Sequence, residues 1–178
     1  ELKVMHDQLI AVSDEMAVDL NDSVGALYQA ISGGIPANSW LRFMQTAMKL
    51  SRAGAAELTP VVGVLAGIMK NYGLEVSETE RVSDLLLNTV KLGVTTMDEL
   101  GASLGDLLPS AKASGLSLEE TLGTLAALTQ TSGKTTKSVT QFRALLVELM
   151  RPTTKLAQAV KEKLGAGDTF VGMMSNGT

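Results

Sequence analysis

Cysteine is absent from this 178-residue sequence, and histidine occurs once, at His6. The absence of cysteine excludes a disulfide scaffold, zinc–thiolate sites and thiol catalysis. A single histidine excludes any site that requires two imidazoles. Aromatic residues make up only 3% of the chain. Because β-sandwiches use many aromatic and β-branched residues, this composition favours a helical chain with an aliphatic, methionine-containing core.

Long apolar runs and strong net charge are also absent. The longest apolar run, residues 61–69, has nine residues, far fewer than the roughly 20 that a membrane-spanning helix requires. The net charge is −4, so we expect neither nucleic acid nor an anionic membrane as the main partner. With 45% hydrophobic and 19% charged residues, the composition is typical of a folded globular chain.

Glycines recur along the chain at intervals of 18 to 22 residues: Gly34, Gly54, Gly73, Gly93, Gly115 and Gly133. Glycine readily adopts the left-handed conformation that ends a helix, and an apolar residue follows most of these glycines and can pack on the last turn. Three of the junctions continue into a capping-box pattern, in which Ser or Thr precedes Glu by three residues: Ser77–Glu80, Thr96–Glu99 and Ser117–Glu120. The sequence therefore predicts repeated helix–turn–helix units.

Apolar residues at helical spacing between these glycines define the predicted elements. We predict helices over residues 2–20, 23–31, 38–53, 59–71, 78–92, 97–113, 118–131 and 136–150, with a short one near 154–164. Pro109 is expected to kink or split its helix at Leu108. The predicted fold is all-α, an array of about seven to nine short amphipathic helices joined by tight glycine-containing turns, forming a small solenoid or an orthogonal bundle.

The domain organisation follows from the same pattern. We predict an N-terminal helix over residues 1–20, a helical core domain over 21–164 and a flexible glycine-rich tail over 165–178. Because the first residue is Glu1 and not Met, we expect a segment of a longer protein, from which the first helix could continue.

A search for chemical motifs finds little. Gly133-Lys134-Thr135 resembles the end of a phosphate-binding loop, but the required earlier glycine is Leu128 and the preceding segment has a helical pattern. No residue near His6 in the sequence is placed to act with it as a nucleophile. The pairs of neighbouring acidic residues lie in the first turns of helices or on polar faces, where the favourable interaction of a carboxylate with the helix dipole explains them. We predict no enzymatic activity, no cofactor and no metal site.

Two features suggest interaction surfaces. Arg42, Lys49 and Arg52 form a basic stripe on one predicted helix, which is either a contact face or an ordinary solvated face. Gly-x-x-x-Gly spacings occur at Gly63/Gly67 and Gly101/Gly105. Such spacings allow helices to approach closely, either inside the domain or between copies of the chain.

Several stretches of the chain together are similar to a known family: YQAISGG (28–34), KLSRAG (49–54), NYGL (71–74), VKLGVTT (90–96), LLPSA (107–111), SGLSLEE (114–120), TQFRALL (140–146) and RPT (151–153). In order and spacing they resemble the core region of bacteriophage tail tape-measure proteins. The resemblance extends from about residue 10 to residue 165. The chain departs from the family at residues 132–136, where relatives tend to have a turn richer in glycine and alanine.

This resemblance implies a non-catalytic structural and assembly module of a phage or prophage tail, helping to set tail length and organise tube assembly. The implied partners are tail tube and tail-tip proteins, tail assembly chaperones and other copies of the chain. The implied locations are the tail lumen of the virion and the host cytoplasm during assembly. An alternative is a membrane-active helical module that acts in cell-envelope penetration during DNA ejection, which the glycine-rich apolar segment 61–69 motivates.

Overall fold

The computed structural model describes residues 2–150, which form eight α-helices and no strand. The helices are α1 (Leu2–Glu15), α2 (Leu20–Ser32), α3 (Trp40–Ala53), α4 (Leu58–Tyr72), α5 (Thr79–Leu92), α6 (Met97–Ala113), α7 (Leu118–Ser132) and α8 (Thr135–Met150). The all-α prediction is confirmed. The predicted helix 154–164 and tail 165–178 lie outside the described residues.

The helices stack in two rows. α2, α4, α6 and α8 pack side by side in one row, and α1, α3, α5 and α7 form a second row that covers it. Each helix thus contacts the helix two places along the chain as well as its sequence neighbour. This arrangement of αα-hairpins is that of a small solenoid, one of the two predicted architectures.

The core lies between the two rows and is continuous along them. Its largest fully buried side chains include Phe43, Met44 and Met48 from α3, Leu65 and Ile68 from α4, and Leu104, Leu107 and Leu108 from α6. Leu9 and Val12 of α1 belong to the same cluster. Aliphatic and methionine side chains therefore supply most of the buried volume, as the low aromatic content predicts.

The first helix is shorter than predicted. It ends at Glu15 and not at residue 20, because Ala17 adopts a left-handed conformation with φ 48°. Asp19 then starts α2, where its carboxylate accepts a hydrogen bond from the backbone N–H of Asn21 at 2.8 Å. The apolar pattern continued across this break, which is why the sequence did not reveal it.

Glycine occurs at these junctions for two different structural reasons. Gly34, Gly73, Gly115 and Gly133 have positive φ and end helices or turns as predicted. Gly54 and Gly93 do not, with φ of −88° and −98°. A Cβ atom on Gly54 would overlap Met97, and one on Gly93 would lie 2.7 Å from the Thr129 hydroxyl. The prediction of a left-handed residue is therefore wrong at Gly93, and at both positions glycine instead permits close approach of a neighbouring helix.

One of the three predicted capping boxes is complete. The Glu120 backbone N–H donates to the Ser117 hydroxyl at 3.1 Å, and the Ser117 N–H donates to the Glu120 carboxylate at 2.8 Å. Thr96 caps α6 through the Glu99 N–H at 3.2 Å, but the Glu99 carboxylate accepts from the Thr135 hydroxyl instead. Half of this box is therefore formed.

The third predicted box, Ser77–Glu80, is not formed. Residues Val76–Glu78 make a 3₁₀ turn that continues directly into α5, so the residue at the N-cap is Glu78. Because Ser77 already lies inside this turn, its hydroxyl is not positioned to cap α5. The capping prediction is wrong here.

Pro109 does not split α6, which is one continuous helix. The carbonyl that loses its helical hydrogen bond belongs to Gly105, four residues earlier. Gly105 and Pro109 are both exposed, and a Cβ atom on Gly105 would have no neighbour within 4 Å. Water can therefore satisfy the carbonyl, and the proline ring meets no side chain there.

Candidate interaction surfaces

A groove of about 810 Å³ lies where α2 and α4 end and α3 begins. The connection between α2 and α3 forms one wall. Gly34, with φ 97°, reverses the chain, and the Ile35 N–H donates to the Ala30 carbonyl at 3.0 Å. Ile35 is buried and holds the connection against the core. The last turn of α4 and residues 74–77 form the opposite wall.

The charges in this groove are predominantly positive. Arg42 of α3 and Lys70 of α4 both line it, with Glu75 as the acidic residue of the lining. Within residues 2–150, neither Arg42 nor Lys70 forms an ion pair. The first turn of α3 contains no acidic residue, so its free N–H groups add to the positive potential. The groove can hold a carboxylate or a polar peptide, but it contains no nucleophile–base pair.

The predicted stripe of Arg42, Lys49 and Arg52 lies on the exposed face of α3 but does not act as one unit. The Arg52 guanidinium donates to the Met16 carbonyl at 2.9 Å and ties the end of α3 to the α1–α2 connection. Arg42 lines the groove at the other end of the helix, and Lys49 lies exposed between them. Their role as a contact face stays a prediction.

The sequence analysis missed Lys70 as the neighbour of Arg42 in the groove. The two residues are 28 positions apart, and no local pattern connects them. The predicted αα-hairpin could have indicated that Lys70 lies near Arg42, since in an antiparallel pair the first turn of α3 lies beside the last turn of α4.

A second surface is an apolar stripe along α2. Four of its side chains are exposed: Leu20 (39%), Val24 (53%), Tyr28 (73%) and Ile31 (47%). The residues through which α2 approaches α4 are different ones. A Cβ atom on Gly25 would lie 3.9 Å from Thr59 and one on Gly33 would lie 2.8 Å from Ala66. The stripe therefore faces away from α4, at the open end of its row.

The Gly-x-x-x-Gly pairs serve packing inside the row. A Cβ atom on Gly63 would lie 3.7 Å from Gln29 of α2, and one on Gly67 would lie 3.9 Å from Leu108 of α6. A Cβ atom on Gly101 would lie 3.0 Å from the Cβ atom of Pro60. Three of the four glycines thus face neighbouring helices of the same chain.

The remaining motif residues have structural surroundings. Gly133 ends α7, and the Thr135 hydroxyl is buried and bonded to the Glu99 carboxylate at 2.6 Å. The phosphate-loop resemblance at residues 133–135 is therefore a helix junction. His6 is exposed beside Asp7. In the part of the chain that the structure describes, no cluster of three or more acidic or histidine side chains could hold a metal ion.

Among the residues that the structure describes, two ionisable groups have shifted pKa values, and both belong to packing or capping. Partial burial raises the pKa of Tyr72, whose hydroxyl lies 2.9 Å from that of Thr121, while the Lys112 ammonium lies 5.3 Å from the ring centroid. Hydrogen bonds from the Ser117 backbone and hydroxyl lower the pKa of Glu120. Neither shift points to acid–base catalysis.

The segment that motivated a membrane role lies inside the protein. Residues 61–69 belong to α4, and all of them except Gly63 and Gly67 are buried. None of the helices among residues 2–150 has both the length and the apolar character needed to cross a bilayer.

Comparison with known proteins identifies relatives in phage tails. Residues 6–178 match the family model described as phage-related minor tail protein. The chain is 32% identical to a probable tape measure protein of Clostridium phage phiCD119, over 97% of the chain and 19% of that protein. It is 20% identical to the tape measure protein of Pneumococcus phage Dp-1, over 91% of the chain and 14% of that protein.

A further relative is a probable tape measure protein of Escherichia phage P2, 24% identical over 91% of the chain and 20% of that protein. The chain thus spans about a fifth or less of the length of these curated relatives. No solved structure matches it. The resemblance seen in the sequence is confirmed, and the chain belongs to the family of phage-related minor tail proteins.

Proposed function

We propose that this chain is a structural and assembly module of a tail tape-measure protein, which helps to set tail length and organise the tail tube and catalyses no reaction. The observation that carries the proposal is the match to tape measure proteins over nearly the whole chain. The partners are tail tube and tail-tip proteins, tail assembly chaperones and other copies of the chain. The module acts in the tail lumen after assembly in the host cytoplasm.

The packing supports a structural role. Among the described residues, no buried side-chain nitrogen or oxygen lacks a hydrogen-bond partner. Most buried Ser and Thr hydroxyls donate to a carbonyl one helical turn earlier, as Ser13 does to Leu9 at 2.7 Å and Ser103 to Glu99 at 2.6 Å. Catalytic sites usually retain unsatisfied or perturbed polar groups in a cleft. Here the polar groups are used to build the stack.

The connections between helices add cross-links along the stack. The Glu57 N–H donates to the Asp98 carboxylate at 3.2 Å, and the Val94 N–H donates to the Thr129 hydroxyl at 3.0 Å. These bonds join successive hairpins at their turns. The outer faces of the stack are left for contacts with other tail components.

The experiment is an in-frame deletion of residues 20–165 from the phage gene, with tail lengths measured by electron microscopy. We expect shorter tails. If the segment spans the lumen as extended helix, its 146 residues at about 1.5 Å each shorten the tail by roughly 220 Å. Tails of unchanged length would contradict a role in length determination, and an absence of tails would indicate that an assembly contact had been removed.

The membrane-active alternative, a module that opens from its bundle after ejection, has no support in the relatives or in the described residues, where segment 61–69 is packed in the core. Release of a dye from liposomes by the folded chain would revive it.

A further inference from the structure

Three residues of the exposed stripe on α2, together with the half-buried Leu27, have the spacing of a coiled-coil seam. Leu20, Val24, Leu27 and Ile31 follow one another at intervals of four, three and four residues, which is the a/d spacing of a heptad repeat. In this register, leucine occupies both d positions and a β-branched residue occupies both a positions. That choice of residues favours two-stranded parallel pairing over higher oligomers.

The seam is open to solvent in the monomer. Leu20, Val24 and Ile31 are exposed, and Leu27 is half-buried at the edge of the core. Ser23 and Ala30, at the g positions along one edge of the seam, are buried together with Ala26, and the glycines Gly25 and Gly33 approach α4. Because the core holds α2 from behind, the seam is displayed on a helix that is already formed. An isolated helix of 13 residues would be only marginally stable in water. Because α2 is already folded in the monomer, pairing does not have to supply the free energy of helix formation.

The flanks of the seam carry no charge. The residues at the e and g positions beside it are Asn21, Ser23, Tyr28 and Ala30. The nearest acidic side chain on the helix, Asp22, lies at the f position, away from the partner helix. Two copies of a chain with net charge −4 can therefore meet along this line without opposing like charges.

We propose that two copies of this chain pair through α2, in parallel and about a two-fold axis, with Val24 and Ile31 each opposite the same residue of the second copy. The pairing continues the α2–α4–α6–α8 row across the axis, so that α2 gains a neighbour on its open side. The biological meaning of this contact rests on the proposed assembly function, in which copies of the chain act together.

The contact involves one helix face from each copy. Such an interface is smaller than the roughly 1,200 Å² of standard complexes and belongs to the weak, transient class. We therefore look for dimerisation in a concentration range on the order of 10⁻⁵ M. Sedimentation equilibrium of the 178-residue chain from micromolar to millimolar concentration measures the dissociation constant. The expected result for the wild-type chain is a reversible monomer–dimer equilibrium.

Val24→Glu tests the seam, and Val94→Glu is its matched control. Both valines are 53% exposed, but Val94 lies in the α5–α6 connection, outside the stripe. A charge at the a position should weaken the dimer at least about tenfold, whereas Val94→Glu should leave it unchanged. Equal weakening by both variants would overturn the proposal. So would a wild-type chain that stays monomeric to millimolar concentration, or one that instead binds lipid vesicles through the stripe.

The orientation can be tested with cysteine pairs, because the natural chain has no cysteine. Val24→Cys should form a disulfide between copies under mild oxidation. In a mixture of Leu20→Cys and Ile31→Cys chains, each variant should cross-link only with itself and no 20–31 disulfide should form, since these two positions meet only in an antiparallel pair. A 20–31 disulfide in that mixture, with no cross-link at Val24→Cys, would overturn the parallel arrangement.

These measurements separate the two proposals. If the purified chain is monomeric but deletion of residues 20–165 still shortens the tail, the seam is rejected and the structural function is retained. If the chain forms a dimer but the deletion leaves tail length unchanged, the seam is retained and the role in tail length is rejected.

Discussion

α4 and α2 belong to the same row of helices but present different surfaces. α4 has a helix on each side, and Val61, Val64, Leu65 and Ile68 are all buried. α2 has α4 on one side only, and its apolar residues on the other side are exposed. Both helices are rich in apolar residues, so composition alone does not explain the difference. Position in the row determines which apolar face is used for folding and which remains for a partner.

The largest expected difference between the two helices is the effect of truncating an apolar side chain. Leu65→Ala should lower the free energy of unfolding by about 2–5 kcal/mol, because it leaves a cavity in the core. Val24→Ala should change it by less than about 0.5 kcal/mol, as is usual for surface positions. Urea denaturation at low protein concentration, where the chain is monomeric, measures both. Similar losses would show that α2 is covered in the monomer.

A second test compares a covered glycine with an open one. Gly93→Ala should lower the free energy of unfolding by about 1–3 kcal/mol, because the new methyl group would press on Thr129 and Ala126. Gly105→Ala should raise it by about 0.5–1 kcal/mol, since it lies in an exposed part of α6 with open space around it. Thermal unfolding of the two variants checks both signs, and a stabilising Gly93→Ala would contradict the close packing of α5 on α7.

Helix caps give a smaller and purely local comparison. Ser117→Ala removes a hydroxyl that caps α7 and should lower the free energy of unfolding by about 1 kcal/mol. Ser77→Ala should have an effect below about 0.5 kcal/mol, because Ser77 caps no helix. Denaturant midpoints measured side by side distinguish them. If the two losses were equal, Ser77 would have a capping role that the structure does not show.

The smallest expected effects concern the basic residues of α3. Arg52→Ala should lower the free energy of unfolding by about 0.5 kcal/mol through loss of its bond to the Met16 carbonyl. Arg42→Ala should leave it unchanged within experimental error, since its guanidinium has no partner in the described part of the chain. Measuring the stability of both variants, and then the yield of phage carrying each of them, distinguishes the roles of the two residues. A yield defect in Arg42→Ala with unchanged stability would identify the groove as a contact.

The sequence predicted those features of the fold that depend on neighbouring residues. Helix positions after α2 agree within about two residues, because a glycine or a capping residue marks most boundaries locally. Ser117 and Glu120 are three residues apart, and their capping box was predicted correctly. These patterns require only the chain within one or two turns.

Features that depend on distant residues were not predictable. Gly93 is required because Thr129, 36 positions away, lies against it. Arg42 and Lys70 line the same groove only because α3 and α4 form a hairpin. The sequence prediction places Leu20 in the preceding helix, so it does not connect this residue with the rest of the α2 stripe. Only the packed structure shows that this stripe faces away from α4.

The most direct test of the contrast between α4 and α2 uses single cysteines in this cysteine-free chain. Val64→Cys and Val24→Cys replace the same residue type on the two helices, and the measurement is the rate of thiol modification in the native, monomeric protein. A cysteine at position 24 should react nearly as fast as in the unfolded chain, and one at position 64 should be strongly protected. Equal rates at the two positions would contradict the account.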